Sequence, residues 1–366
     1  MKIAIIETGH FQYTLTLSEI FSEYKQIIIT TKQFQEDIFL YDPAMKMHKY
    51  VVIESIDKNK NEILAVIQKE QIDILHISPI FDSYKAMKEI VKQLKCTKVL
   101  TTHNINTWFN GRFWSPHSLM DRINMRAIIN NCDYIAVEDF IYNYLKNSNH
   151  KYFLKYKFIY IPFTVFYKTR NKKYQKQDDR LKVVLTGAID GDRRRYEEIL
   201  NVIDYFKNKS DKITFSFAGR AKGEYGIGIQ NKLRVIKEEY PKLVSFFENN
   251  STIDMFIEEM ETSDLVLSTS TKKFKGMGTT EYIGKTKPTA AIHDMITFQL
   301  PGLLPEHLTI PENLKGSVFN YNNSESLINI LNKLIEDKTL LSDWKEKSKN
   351  NSLNFTSEII RKKLPF

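Results

Sequence analysis

Two segments of this 366-residue chain bring together side chains suited to a phosphorylated ligand. The first is Thr186-Gly187-Ala188-Ile189-Asp190-Gly191-Asp192-Arg193-Arg194-Arg195-Tyr196. It follows a strand-like run and opens a helix-like one. Glycine allows a tight turn there, and backbone N–H groups at a helix start attract anions. Arginine forks grip phosphate oxygens in bidentate fashion. Arg193, Arg194 and Arg195 behind Gly187 are therefore expected to form a diphosphate clamp, a solvated charged turn being the competing reading. Asp190-Gly191-Asp192 also has the DxD form that holds a divalent cation on carboxylate oxygens. Three arginines directly behind it neutralise a diphosphate without one, so the expectation is a metal-independent site.

The second segment is Lys272-Lys273-Phe274-Lys275-Gly276-Met277-Gly278-Thr279-Thr280-Glu281-Tyr282. Its glycines permit close backbone approach to a ligand. Gly278, Thr279 and Thr280 supply donors at an expected helix start, and the two oxygens of Glu281 suit a ribose diol. The spacing is neither GxGxxG nor a phosphate-binding P-loop. In isolation it reads better as a glycine-rich helix cap.

Further polar residues follow strand-like runs in the first half. Thr101-Thr102-His103-Asn104 places a histidine where a ligand can be touched, and Glu7-Thr8-Gly9-His10 places a second. Histidine is the usual base near neutral pH. A backbone-satisfied structural histidine is the competing reading. Asp82, Glu138 and Asp139 are carboxylates in similar positions, Asp139 reading best as a helix cap. Trp108, Phe109, Phe113 and Trp114 cluster after His103 and suit a sugar face, a core or an interface equally.

The elements that must position these residues alternate throughout. Strands are expected at Lys2–Ile6, 26–30, 72–77, 97–101, 131–137 and 158–161, with helices at 12–24, 63–69 and 84–95. Residues 168–180 are polar and free of core residues, so they read as a linker. The pattern then restarts, with strands at 182–186, 213–218, 243–247, 264–268 and 288–292. Helices are expected at 196–206, 229–239, 252–260 and 279–284. Residues 324–366 read as two or three lysine-rich helices. Alternation of this kind predicts an α/β chain with two parallel-sheet, Rossmann-like domains facing each other across a cleft. Ligands of such sheets bind beyond the carboxyl ends of the strands. The expected boundaries are 1–167 for a first Rossmann-like domain, 168–180 for the linker and 181–345 for a second. Residues 346–366 form a last helical segment that returns to the first domain.

Composition narrows the function classes. Hydrophobic residues make up 42 % of the chain, enough for sizeable cores. Two cysteines, Cys96 and Cys132, exclude a disulfide scaffold and a cysteine-rich zinc site. The net charge is +9, most of it carried by residues 1–180. That excess suits phosphate-bearing ligands or an anionic membrane surface. No nucleic-acid motif accompanies it, and no nucleic-acid partner is expected. The apolar run at Lys2–Ile6 is too short for a signal peptide, and no window reaches the ~20 apolar residues of a membrane span. A cytoplasmic chain is expected, peripheral at the inner face of the cell membrane if the basic half is used there.

Together these segments resemble the GT-B glycosyltransferases, particularly family 4-like bacterial enzymes of glycan biosynthesis. Thr102-His103-Asn104 is similar to the family's His-Asn or His-Asp pair, and Tyr160-Ile161-Pro162 to the strand end before its hinge. Gly187 to Tyr196 is similar to its phosphate loop. Gly276 to Glu281, with Gly284 and Pro288, is similar to its G-x-G…E…G-x-P pattern. The resemblance implies transfer of a sugar from a UDP- or GDP-linked donor to a glycan or lipid-linked acceptor in polysaccharide synthesis. Arg193 and Arg194 would meet the diphosphate, Glu281 the ribose, and Lys273, Lys275 and Gly276 the donor sugar. His103 or His10 would deprotonate the acceptor of an inverting enzyme, whereas His103 would contact the donor sugar of a retaining one. The family's first glutamate falls on Lys273, which leaves sugar and stereochemistry open and suits a sugar bearing a carboxylate. An epimerase of the same fold and a non-catalytic nucleotide- or nucleic-acid-binding protein are the alternatives.

Overall fold

The computed structural model describes residues 1–80, 82–110, 116–148, 150–167, 173–249, 251–276 and 278–366. Phe113, Trp114, Met277 and linker residues 168–172 lie outside the described residues. The first sheet has seven strands: β1 (Lys2–Ile6), β2 (Lys25–Thr31), β3 (Lys49–Ile53), β4 (Ile74–Ile77), β5 (Thr97–Thr101), β6 (Tyr134–Val137) and β7 (Phe158–Tyr160). Their order is β3-β2-β1-β4-β5-β6-β7, all parallel. The central strands explain that choice. Ile27, Ile28 and Ile29 are consecutive and all buried, as are Ile74, Leu75, His76 and Ile77. A strand that is apolar on both faces must be covered by helices on both sides, which is the parallel arrangement.

The second half repeats the design. Its parallel sheet contains β8 (Leu181–Thr186), β9 (Ile213–Ala218), β10 (Val244–Phe246), β11 (Leu265–Leu267), β14 (Gly302–Pro305) and β15 (Val318–Tyr321). The order is β10-β9-β8-β11-β14-β15. Between β11 and β14 the chain makes a separate antiparallel hairpin of β12 (Lys273–Gly276) and β13 (Thr279–Tyr282). The expectation of two Rossmann-like sheets holds. Among the described residues, no helix is long and apolar enough to cross a membrane.

Two expected elements are corrected. Residues 279–282 form a strand, not a helix: β-branched Thr279 and Thr280 with Tyr282 favour extended backbone, and Gly278 sits at φ +71° beside the turn. Residues 288–292 are not a strand. Helix Ala290–Phe298 occupies that place, burying Ala291, Ile292, Met295, Ile296 and Phe298 at helical spacing. The strand that follows is β14, so the local order is hairpin, helix, strand.

After helices Ser324–Glu336 and Lys338–Ser352, the chain crosses back to the first half. Helix Ser357–Arg361 packs on helix Phe11–Ile20, where the Arg361 guanidinium donates to the carbonyls of Ile20 (2.6 Å) and Glu19 (3.3 Å). Phe366 lies against Phe21 and Tyr134.

Asp264, before β11, fastens three segments. Its buried carboxylate accepts from the Lys182 amide at 2.7 Å and pairs with Lys176 and Lys345. Burial alone would raise this carboxyl, but the two lysines and the amide outweigh it and hold it below its ordinary value. A depressed carboxyl stabilises the fold above its unfolded pKa, near 4, and loses that contribution as pH falls through the folded value. Asp264→Ala should therefore cost about 1–2 kcal/mol at pH 7, because it removes a charge-assisted bond to the Lys182 amide and two ion pairs whose lysines are partly exposed. The deficit should shrink by pH 3, as measured by urea unfolding at both pH values.

Candidate active site

The carboxyl ends of β1, β5, β6 and β7 deliver four side chains to one place. At the end of β1, buried Glu7 accepts from the backbone amides of Gly9 (2.5 Å) and His10 (2.7 Å) and sets the turn that presents His10 at the start of helix Phe11–Ile20. Burial lifts the Glu7 carboxyl to about 7 against those two amides. His103 follows β5, Glu138 follows β6, and Phe163 follows β7 and Pro162. The rings of His10 and His103 lie 4.8 Å apart, and His103 lies 3.7 Å from Phe163. Burial, then the nearby charge of Lys287, pulls His10 down to about 4. Burial and the neighbouring His10 and Lys287 hold His103 well below its ordinary value. Both rings are neutral near pH 7.

The second half faces this cluster with cations. Gly187, at φ +78°, turns the chain after β8, and a Cβ there would lie 2.2 Å from an Arg194 nitrogen. Asp190 is buried and accepts from the Arg193 backbone amide (3.0 Å), Nε (3.1 Å) and Nη2 (2.6 Å). It thereby aims Arg193 into the cleft. The loop after β11 braces the same segment through Thr271 N–H to the Arg193 carbonyl (2.8 Å) and Arg195 N–H to that of Thr269 (3.0 Å). The DxD pair is thus an arginine anchor in this conformation, with Asp192 exposed. Among the described residues no group of three or more His, Cys, Asp or Glu side chains converges on a metal position. Arg194 is tucked behind Gly187 and donates to the Ala188 carbonyl (2.9 Å). Arg193 therefore lines the cleft and Arg194 does not.

Lys287 completes the cationic side. Its ammonium donates to Asn104 Oδ1 across the interface at 2.7 Å and lies 5.1 Å from the Phe274 ring, over which Arg193 also sits at 5.9 Å. Burial and the Arg193 charge lower it to about 8. His293 and Asp294 stand side by side on helix Ala290–Phe298. His293 Nε2 meets Glu138 Oε1 of the opposite half at 2.8 Å, and its ring stacks on Phe163 at 5.4 Å. Burial pushes the Asp294 carboxyl up to about 6. His10, His103, Arg193, Lys287, His293 and Asp294 enclose a cleft of about 350 Å³.

The hairpin residues lie elsewhere. Glu281, expected on a ribose, has zero exposure. Its Oε1 accepts from the Thr107 amide (2.6 Å), and its Oε2 from the Asn106 amide (3.2 Å) and the Thr286 hydroxyl (2.7 Å). Burial raises its carboxyl despite these donors. Asn106 also donates to the Thr280 carbonyl (2.9 Å), and the hydroxyls of Thr107 and Thr279 meet at 3.0 Å. Glu281 in this conformation caps helix Ile105–Asn110 of the first half. Lys275, Gly276, Gly278, Thr279 and Thr280 line a separate open groove of about 900 Å³ with Asn106 and Asn110. Lys273 is exposed, its ammonium over the Tyr282 ring.

Sequence reasoning reached Arg193, His10 and His103, and it noted Glu138 only as one carboxylate among several. It missed Lys287 and Phe163, and gave His293 and Asp294 no role in transfer. The available signal was weak: a lysine before Pro288 and an aromatic after Pro162, each just beyond a motif already singled out.

No protein-family model matches this sequence, and no curated protein matches it. Solved structures do. A glycosyltransferase from Rickettsia africae is similar over 99 % of this chain and 96 % of its own, with 13 % identity and a TM-score of 0.63. Anabaena HepE, solved with UDP, is similar over 99 % and 98 %, with 14 % identity and a TM-score of 0.62. The UDP-GlcNAc 2-epimerase of Methanocaldococcus jannaschii is similar over 92 % and 94 %, with 14 % identity and a TM-score of 0.55. At these identities the likeness establishes the fold: two Rossmann-like domains in the GT-B arrangement shared by glycosyltransferases and UDP-sugar epimerases.

Proposed function

We propose that this chain binds a nucleoside-diphosphate sugar in the cleft and transfers the sugar to an acceptor hydroxyl. The observation that carries this reading is the convergence of Arg193 and Lys287 beside the amino end of helix Ala290–Phe298, where Thr289 makes no side-chain cap. Unpaired helix amides and two cations suit a diphosphate. They would also stabilise the charge that develops on the departing diphosphate. UDP bound to HepE in the same fold supports a uridine donor. The engagement of Asp190 by Arg193 supports binding without a divalent cation.

On this reading the ribose falls to Asp294, whose carboxylate lines the cleft while that of Glu281 is withdrawn from it. The groove along Lys275, Thr279 and Thr280 is then left for a glycan or lipid-linked acceptor, and the basic first half suits an anionic membrane surface.

A second reading, epimerisation of the nucleotide sugar, draws support from the carboxylate and imidazole groups gathered in the cleft: Glu138, Asp294 and three histidines. Product analysis separates the two. A transferase incubated with UDP-sugars releases UDP and leaves no C2-epimerised UDP-sugar by proton NMR, whereas an epimerase gives the reverse.

Arg193→Ala and Lys287→Ala should each weaken UDP binding by about 10- to 100-fold, the worth of a hydrogen bond to a charged group. Titration calorimetry reads this directly, and unchanged affinity in both folded variants would refute the site. Lys287 is a cation below about pH 8. UDP affinity should therefore decline as pH rises through 8, and Lys287→Arg should remove that decline.

Asp294→Asn should weaken UDP binding by about tenfold. Glu281→Gln should leave it within about threefold while lowering the thermal midpoint, because it weakens the cap on helix Ile105–Asn110. The opposite pattern would return the ribose to Glu281.

A further inference from the structure

We propose that His293 is the general base of the transfer reaction and that Glu138, from the opposite domain, is its positioning residue. The assignment rests on the transferase reading above. Glu138 is buried, and its Oε1 accepts both His293 Nε2–H (2.8 Å) and the Phe163 amide (2.7 Å). A carboxylate only accepts hydrogen bonds, so the proton of the neutral ring lies on Nε2 and the lone pair on Nδ1. Nδ1 makes no hydrogen bond among the described residues, and His293 lines the cleft. Phe163 stacks parallel to the ring, with 17° between the planes, and limits its rotation.

The other two imidazoles stand in a different setting. Burial, with Lys287 nearby, depresses both His10 and His103. Protonating either would place a further cation in a site that already holds Arg193 and Lys287. Protonating His293 instead places the charge 2.8 Å from an anion, as in a carboxylate-oriented histidine base.

The step balances as a direct displacement. The acceptor hydroxyl gives its proton to His293 Nδ1 as its oxygen bonds to the anomeric carbon. The bond from that carbon to the diphosphate breaks, and its electron pair leaves on the nucleoside diphosphate between Arg193 and Lys287. Water can stand in as acceptor, with the free sugar and UDP as products. Because His293 and Glu138 come from different domains, the base is assembled only when the cleft is closed.

The test uses the full chain with UDP-glucose, UDP-galactose and UDP-N-acetylglucosamine, following UDP release and, separately, UDP affinity. His293→Gln should lower kcat by at least about 100-fold and leave UDP affinity within about threefold. Imidazole added to His293→Ala should restore part of the turnover. Glu138→Gln keeps an oxygen for both hydrogen bonds but removes the charge, so it should lower kcat about tenfold, while a purely structural tie would leave kcat unchanged. Wild-type kcat in either glutamine variant, or a matching loss of UDP affinity, overturns the assignment. UDP binding by the wild-type chain without UDP release from any of the three sugars overturns the transferase reading and the base together.

Discussion

The arrangement of the cleft depends on one buried carboxylate. Glu281 belongs to the second half of the chain, yet two of its three hydrogen-bond donors, the amides of Asn106 and Thr107, belong to the first. An ionised carboxylate with zero exposure is expensive to desolvate, and only well-placed donors offset that cost. Amides at the start of a helix are suited to the task, because they have no partners within the helix and carry its positive end. The hairpin β12–β13 is therefore docked by polar complementarity as well as by apolar contact. Its docking sets the reach of Lys287, five residues past Glu281's neighbour Tyr282, to Asn104 just before the capped helix.

That docking has an electrostatic consequence. Arg193 and Lys287 are held around the same Phe274 ring, and each carries a positive charge into a partly desolvated space. Arg193 is compensated by Asp190, whereas the Lys287 ammonium has, among the described residues, the neutral amide of Asn104 as its hydrogen-bond partner. Its lowered pKa expresses that shortage. A cleft that confines cations with too few anions favours an anionic ligand. Burial, with the Lys287 charge beside it, keeps the neighbouring imidazoles of His10 and His103 neutral, and the one imidazole facing a carboxylate stands apart from them.

Much of this was legible in the sequence, for identifiable reasons. Runs such as Gln26–Thr30 and Ile213–Ala218 are short, apolar and flanked by turns, so both parallel sheets could be read from local pattern. The residues after those strands, His10, His103 and Arg193, followed from where such sheets bind ligands. The hairpin was not legible. Gly276 to Glu281 matches a strand-loop-helix motif, but Thr279, Thr280 and Tyr282 pair across to β12 instead, and this displaces the expected helix to 290–298. The motif's glutamate thereby became an interdomain cap, and the carboxylate that lines the cleft is thirteen residues later in the chain. Glu138 and His293 are 155 residues apart, and neither carries a local signal of the other. Long-range polar pairs of this kind are set by the docking of two finished domains, which no single-sequence period encodes.

Among the polar ties that join the two halves are those of Glu281 to the Asn106 and Thr107 amides, Lys287 to Asn104, and His293 to Glu138. They are not equivalent in what they ask of the closed state. The Glu281 tie buries a charge against matched donors and holds the domains together at the hairpin. The Lys287 tie brings a cation towards Arg193 and works against closure until an anion lies between them. The His293 tie needs closure, and it becomes an ion pair when the ring takes the proton of the acceptor. On the proposed reading, a bound diphosphate reverses the sign of the second interaction, and closure completes the third. Donor occupancy and the working state of the base are then coupled through the geometry of one interface.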